Sequence, residues 1–203
     1  MMLEAKIRDV RSTFDNLARM ASEIEQAASS IVQTLRTGGR ILVCGNGGSA
    51  SEGQHFVTEL VGRYRSNRQP LPALYLGGDV GQMSCIANDF AWDEVFSRPL
   101  QALAEKGDLL LCLSTSGNSP NVVAALDAAR RLKLDSIALL GRSGGTAASF
   151  ARRALVVGSD DTGRIQEAHL FLIHWFCDYV EEAFPMNRRG EAGGALGDGA
   201  GEA

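Results

Sequence analysis

Much of what marks a secreted, membrane or nucleic-acid-binding chain is missing from these 203 residues. The four cysteines, Cys44, Cys85, Cys112 and Cys177, form no CxxC pair, so neither a metal ribbon nor a disulfide framework is expected. Cys44 and Cys112 fall in apolar strand patterns, where a thiol behaves as a small hydrophobe, and the set reads as reduced thiols of a cytoplasmic protein. No apolar run reaches the roughly 18 residues that a membrane span needs. The opening MMLEAKIRDVRSTFDN is charged and helical without an apolar h-region, so no secretory signal is expected. A formal net charge of −4 leaves no basic surplus with which to neutralise a nucleic-acid backbone. It does not exclude a small anionic substrate, which a few backbone N–H groups can hold.

What the chain does have is the composition of a globular protein, 45% hydrophobic and 22% charged, enough for one domain over residues 1–186. Residues Ile7, Val10, Phe14, Leu17, Ala21, Ile24, Ala28, Ile31 and Leu35 recur in steps of three and four. That stripe predicts one long helix within 1–36 that either folds back on its own domain or, the favoured reading, meets another subunit. Strands are expected at Arg40–Cys44, Pro72–Leu76, Asp108–Leu113, Asp135–Leu140 and Ala154–Val157. Helices are expected at Ser49–Tyr64, Gln82–Ala87, Asp93–Glu105, Ser119–Leu132, Gly145–Ala151 and Arg164–Phe184. Strands that are unbroken apolar runs between helices specify a doubly wound α/β fold, a parallel sheet covered on both faces. Residues 187–203, rich in Gly and Ala, bury almost nothing and are expected to be a disordered tail.

Ligands of such sheets sit beyond the carboxyl ends of the strands, and two loops there have suitable chemistry. The first, Gly45-Asn46-Gly47-Gly48-Ser49-Ala50-Ser51, can turn tightly and bring N–H groups to a ligand, with Ser49 capping the next helix or touching the ligand. It has no P-loop lysine and does not match GxGxxG. The second, Ser114-Thr115-Ser116-Gly117-Asn118-Ser119 before Pro120, puts four hydroxyls at a helix N-terminus. A capping turn would use Ser119 alone, so the surplus points to an anion, a phosphate above all.

His55 and Glu59 are four apart and share a helix face. On the last helix Gln166 and His174 lie about 80° apart around the axis, whereas His169 is about 140° from His174 and need not join it. Taken singly, His174 among Phe171, Leu172, Ile173, Trp175 and Phe176 reads as a core histidine, and His55 with Glu59 as a helix-face hydrogen bond.

The ordered set GNGGSAS, QHFVTEL, GRYR, CIANDF, FSRPLQAL, LSTSGNSPNV and RIQEAHLFLIH resembles the phosphoheptose isomerases of the sugar isomerase (SIS) domain superfamily, from about residue 8 to Phe184. The resemblance implies a SIS, flavodoxin-like fold and an aldose–ketose isomerase acting on sedoheptulose 7-phosphate for nucleotide-activated heptose, as in lipopolysaccharide synthesis. It implies that Ser114, Thr115, Ser116 and Ser119 hold the sugar phosphate. Asn46, Gly47 and Ser49 would contact the substrate, and Arg63, Asn88 and Asp89 would line the same pocket. Glu59 would be the catalytic base and His174 its acid partner, in an enediol mechanism. His55, Glu59, Gln166 and His174 match the residues that bind Zn²⁺ in some members. A homotetramer is implied, with no nucleic-acid or membrane partner. Gly163 stands where some relatives carry an acid that reaches the sugar.

Three other readings share these motifs. One relative in the superfamily is a non-catalytic tetramer that binds a replication initiator protein, but it lacks the acid and histidine at the positions of Glu59 and His174. Sugar-phosphate sensors carry a DNA-binding domain for which this chain has no sequence. An isomerase for another ketose phosphate would share every residue named.

Overall fold

The computed structural model describes residues 2–185, and the tail expected over 187–203 lies outside the described residues. Five strands, β1 (Ile41–Gly45), β2 (Ala73–Tyr75), β3 (Leu109–Ser114), β4 (Asp135–Gly141) and β5 (Arg153–Val157), form one parallel sheet in the order β2-β1-β3-β4-β5. The chain winds outward from β1 to β2, then returns to the other side of β1 as β3. The order reverses between β1 and β3, and the two loops singled out above leave the sheet side by side at that switch point.

Every residue of β1 and β3 is buried, as expected of strands covered on both faces. Alternate side chains divide between two cores. Ile41, Val43, Leu109, Leu111, Ile137 and Leu139 face α2 (Ala21–Arg36), α3 (Gly48–Val61) and α8 (Thr162–Ala183). Leu42, Cys44, Leu110, Cys112, Ala138 and Leu140 face α4 (Val80–Asp89), α5 (Ser97–Leu103), α6 (Pro120–Arg131) and α7 (Ala147–Phe150). Cys44 and Cys112 are paired neighbours in the β1–β3 register and are free buried thiols, with sulfurs 3.3 Å apart. A buried ion pair fixes the opposite end of these two strands. Asp108 accepts from Arg40 N at 2.8 Å, Arg40 Nη2 at 2.8 Å and Glu105 N at 2.9 Å. Burial alone would push the Asp108 carboxyl up. The Arg40 guanidinium and the backbone donors outweigh it and hold the group below the usual carboxylate range.

The single N-terminal helix expected over 1–36 is two helices, α1 (Met2–Ala18) and α2. At the break Arg19 N and Met20 N bond three residues back, to Asn16 O and Leu17 O, and the chain bends onto α8. Phe14 meets Phe171 edge-to-face with centroids 5.2 Å apart, and Lys6 Nζ reaches Asp161 Oδ2 at 2.8 Å. From Leu17 the stripe, apart from exposed Ala21, is spent within the chain: Leu17, Ile24, Ala28, Ile31 and Leu35 lie in the core shared with α8 and the sheet. Burying Ile31 completely contributes roughly 2 kcal/mol. The helix expected over Asp93–Glu105 is likewise split, into a 3₁₀ turn at Trp92–Glu94 and α5. Asp79 caps α4 by accepting from Gln82 N at 2.8 Å, and Asp161 caps α8 by accepting from Gly163 N at 2.8 Å.

Candidate functional site

The loop after β1 delivers the chain into α3 without a side-chain cap. Gly47, with φ +55°, is the N-cap, and Ser49 sits inside the first turn, buried, rather than capping it. Gly48 lies directly under the end of the Gln166 side chain. A Cβ there would lie 2.1 Å from Gln166 Nε2, so a larger residue would displace the Gln166 amide that α8 lays across the start of α3. From underneath, Tyr75 Oη donates to Gly45 O at 2.6 Å.

The loop after β3 is built from its own hydroxyls. Ser114 is buried, and its Oγ accepts from Gly117 N at 3.1 Å and lies 3.3 Å from Ser119 Oγ. Ser116 Oγ accepts from Asn118 N at 3.1 Å. Asn118 Oδ1 in turn accepts from Thr146 N at 2.9 Å and Thr146 Oγ1 at 3.0 Å, bracing the loop against the turn after β4. Ser119 occupies the N-cap position of α6 but makes no side-chain cap bond. Thr115, Ser116 and Ser119 remain half-buried at the mouth of this turn, while Ser114 serves mainly as an internal strut.

Asn46 does something the sequence did not foretell. Its Nδ2 donates to Asn121 Oδ1 at 2.8 Å, and Asn121 Nδ2 donates to Asn46 Oδ1 at 2.9 Å. Asn121 is 1% exposed and lies in the first turn of α6. The two loops are thereby joined side chain to side chain.

The ionisable residues converge from two helices. His55 Nε2 stands 3.1 Å from His174 Nε2 and 3.4 Å from Glu59 Oε1. His174 stacks on Tyr64 with centroids 5.9 Å apart. The core reading of His174 therefore gives way to a half-buried imidazole facing α3. His169 is the core histidine: it is wholly buried, its Nε2 lies 3.2 Å from Leu140 O, and burial pushes its pKa down to about 4. Arg68 holds the far end of α3 by donating to Glu59 O at 2.7 Å and Leu60 O at 2.9 Å.

One acidic residue was overlooked. Glu52 lies three residues before His55 and seven before Glu59, hence on the same face of α3, between them and Gly48. Its Oε2 is buried with no hydrogen-bond partner, and burial raises its pKa from 4.5 to about 7. The signal was available in the spacing of Glu52, His55 and Glu59, one helical face read over two turns.

Arg63, Asn88 and Asp89 are not drawn to these groups within the chain. Arg63 is exposed beyond the end of α3, about 20 Å along its axis from Gly48. Asn88 and Asp89 are exposed at the far end of α4, where Asn88 Nδ2 donates to Asp89 Oδ1 at 2.7 Å.

Two imidazoles and a carboxylate are the donor chemistry of a catalytic zinc site. The facing Nε2 atoms admit either one shared proton or lone pairs turned toward a cation. Among the described residues, however, no three His, Cys, Asp or Glu side chains are already gathered as a metal cluster. The donor types fit the ion, and the present geometry is that of a hydrogen-bonded triplet.

No helix among the described residues is long and apolar enough to cross a membrane. The SIS domain family model matches residues 7–141. A phosphoheptose isomerase from Campylobacter concisus is 44% identical over 183 residues, 90% of this chain and 97% of the relative. The structure of a phosphoheptose isomerase from Neisseria gonorrhoeae superposes with a TM-score of 0.83 at 37% identity, covering 89% of this chain and 97% of that one. One from Francisella tularensis gives 0.81 at 34% identity, covering 90% and 99%. With the SIS domain model matching most of the chain and relatives of this identity and coverage, the chain belongs to the SIS-domain family of phosphoheptose isomerases and is a sugar-phosphate isomerase.

Proposed function

We propose that the chain interconverts sedoheptulose 7-phosphate and D-glycero-D-manno-heptose 7-phosphate, supplying the aldose from which nucleotide-activated heptose is made for surface glycans. The observation that carries this reading is the convergence of Glu59, His55 and His174 on α3 and α8, with the loop that presents Thr115, Ser116 and Ser119 tied to the start of α3 through Asn46 and Asn121. A phosphate end and an acid–base end are what an aldose–ketose isomerase of a sugar phosphate needs.

In the proposed mechanism Thr115, Ser116, Ser119 and the adjacent N-terminus of α6 hold the phosphate. The Glu59 carboxylate takes the proton from C1 of the ketose. The C–H electron pair becomes the C1–C2 double bond, and the carbonyl oxygen at C2 receives a proton from His174, giving the enediol. Glu59 then returns its proton to C2, and the C1 hydroxyl gives its proton back to His174 as its O–H pair becomes the aldehyde C=O. Stacking on Tyr64 holds the His174 ring in place for both transfers. His55, Glu59, Gln166 and His174 are the residues that would bind Zn²⁺, which would supply Lewis-acid stabilisation of negative charge on the substrate oxygens.

We further propose a homotetramer. Arg63, Asn88 and Asp89 are exposed outside the site of their own chain, and Ile7, Phe171 and Trp175 leave apolar surface uncovered.

The test is turnover of sedoheptulose 7-phosphate by the zinc-replete protein, with Glu59→Gln beside it. Wild-type conversion and a loss of at least about 10²-fold in Glu59→Gln are expected. No turnover of this ketose but turnover of a shorter one would move the substrate assignment. No turnover of any ketose phosphate would favour a non-catalytic binding role.

A further inference from the structure

The β1–β3 register ends at Gly45 opposite Leu113, one residue before each of the two loops. Beyond that rung, among the hydrogen bonds of the described residues, only the Asn46–Asn121 pair bridges residues 46–49 and 114–121. The pair is reciprocal, each amide donating to the other's oxygen. Asn121 Oδ1 also takes Val122 N at 3.0 Å, so that buried acceptor is saturated. Asn46 stands two residues before α3, which carries His55 and Glu59. Asn121 stands two residues after Ser119, in the first turn of α6.

We propose that the Asn46–Asn121 amide pair is a positioning element that sets the phosphate loop at a fixed distance from the acid–base face of α3. The proposal rests on the isomerase reading for its consequence and on the hydrogen bonds for its geometry. A substrate anchored at one end by Thr115, Ser116 and Ser119 presents C1 and C2 to Glu59 only if the two loops keep their spacing. A misplacement of about 1 Å in such an arrangement costs on the order of 10²-fold in rate. The residue types suit this role, because an amide is both donor and acceptor and two amides close a planar, self-complementary ring. An ionised carboxylate at either position would accept but not donate, and a hydroxyl would have to make both bonds from a single atom.

It also gives Asn46 a role besides the sugar contact that the resemblance implies. If Asn46 acted only by contacting the sugar, its loss and the loss of Asn121 would be independent. If the two act through their pair, removing the second after the first changes little. The experiment is therefore a double-mutant cycle of Asn46→Ala, Asn121→Ala and the double variant, read as kcat and KM for sedoheptulose 7-phosphate, melting temperature, and deuterium exchange of the 115–121 amides. Each single variant is expected to lose about 10–100-fold in kcat with KM within about threefold, and the double variant to be no worse than the poorer single. Exchange in 115–121 should accelerate at an essentially unchanged melting temperature. Asn46, half-buried, keeps the test alive if Asn121→Ala does not fold. Multiplying losses, a wild-type kcat, or losses that only track the melting temperature would overturn the proposal. If the wild type turns over no ketose phosphate, the functional reading fails, and unaltered exchange in Asn46→Ala then decides against the pair separately.

Discussion

His55 and His174, 119 residues apart in the chain, bring their Nε2 atoms within 3.1 Å of each other across the gap between α3 and α8. The two nitrogens face each other, with Glu59 Oε1 at 3.4 Å from His55 Nε2. A pair so arranged should respond to a divalent cation. Chelation of the purified protein is expected to lower kcat at least about tenfold, with recovery on added Zn²⁺, and His174→Gln should abolish that recovery. Full activity after verified metal removal would leave the two imidazoles as acid–base groups only.

Glu52 gives a prediction about stability. Its pKa is raised by burial from 4.5 to about 7, so the folded state binds the proton more tightly than the unfolded chain. Stability from this group is therefore present below the ordinary carboxylate value and lost as pH rises toward 7. Glu52→Gln should be more stable than wild type at pH 8, by about 1–2 kcal/mol once its partial exposure is discounted, and equal to it near pH 4. Urea melts at the two pH values measure this directly. An advantage independent of pH would show that Glu52 is solvated after all.

Asp108 has the opposite sign. Held below its ordinary value of 3.8 by Arg40 and backbone donors, it stabilises the fold fully above that value and ceases to do so as pH falls through its folded pKa. Asp108→Asn leaves Arg40 without its buried counter-charge and should cost about 2 kcal/mol at pH 7. The difference from wild type should shrink when both are melted at pH 3. A constant difference would assign the loss to packing.

The second loop can be tested without reference to the sugar. Ser119 makes no side-chain cap to α6, so Ser119→Ala should leave the melting temperature within about a degree, where loss of a true cap would cost ~1 kcal/mol. The same substitution should weaken inorganic phosphate binding, measured by calorimetry, by about tenfold. A lower melting temperature with undiminished phosphate affinity would restore the capping role.

How the molecule divides between sequence and tertiary structure follows from the range of the forces involved. Local patterning carried the parallel sheet: the unbroken apolar runs at Leu109–Leu113 and Ile137–Leu140 have no exposed face to alternate with, so they could only be central strands. The two glycine and serine loops were legible for the same reason, since backbone turns and helix N-termini are made by adjacent residues. Resemblance then named Glu59 and His174. What spacing alone could not settle was which face met what. The stripe from Ile7 to Leu35 was compatible with a partner subunit or with the chain's own core. The bend at Met20 and the available surface of α8 decided for the core from Leu17 onward, because apolar area is buried by whichever surface lies nearest. His55 with His174, Gln166 over Gly48 and Asn46 with Asn121 each join residues more than seventy positions apart, and no period in the sequence encodes such meetings. They exist because the winding of the sheet places β1 beside β3 and packs α8 against α3, after which short-range hydrogen bonds close between groups that the chain had kept far apart.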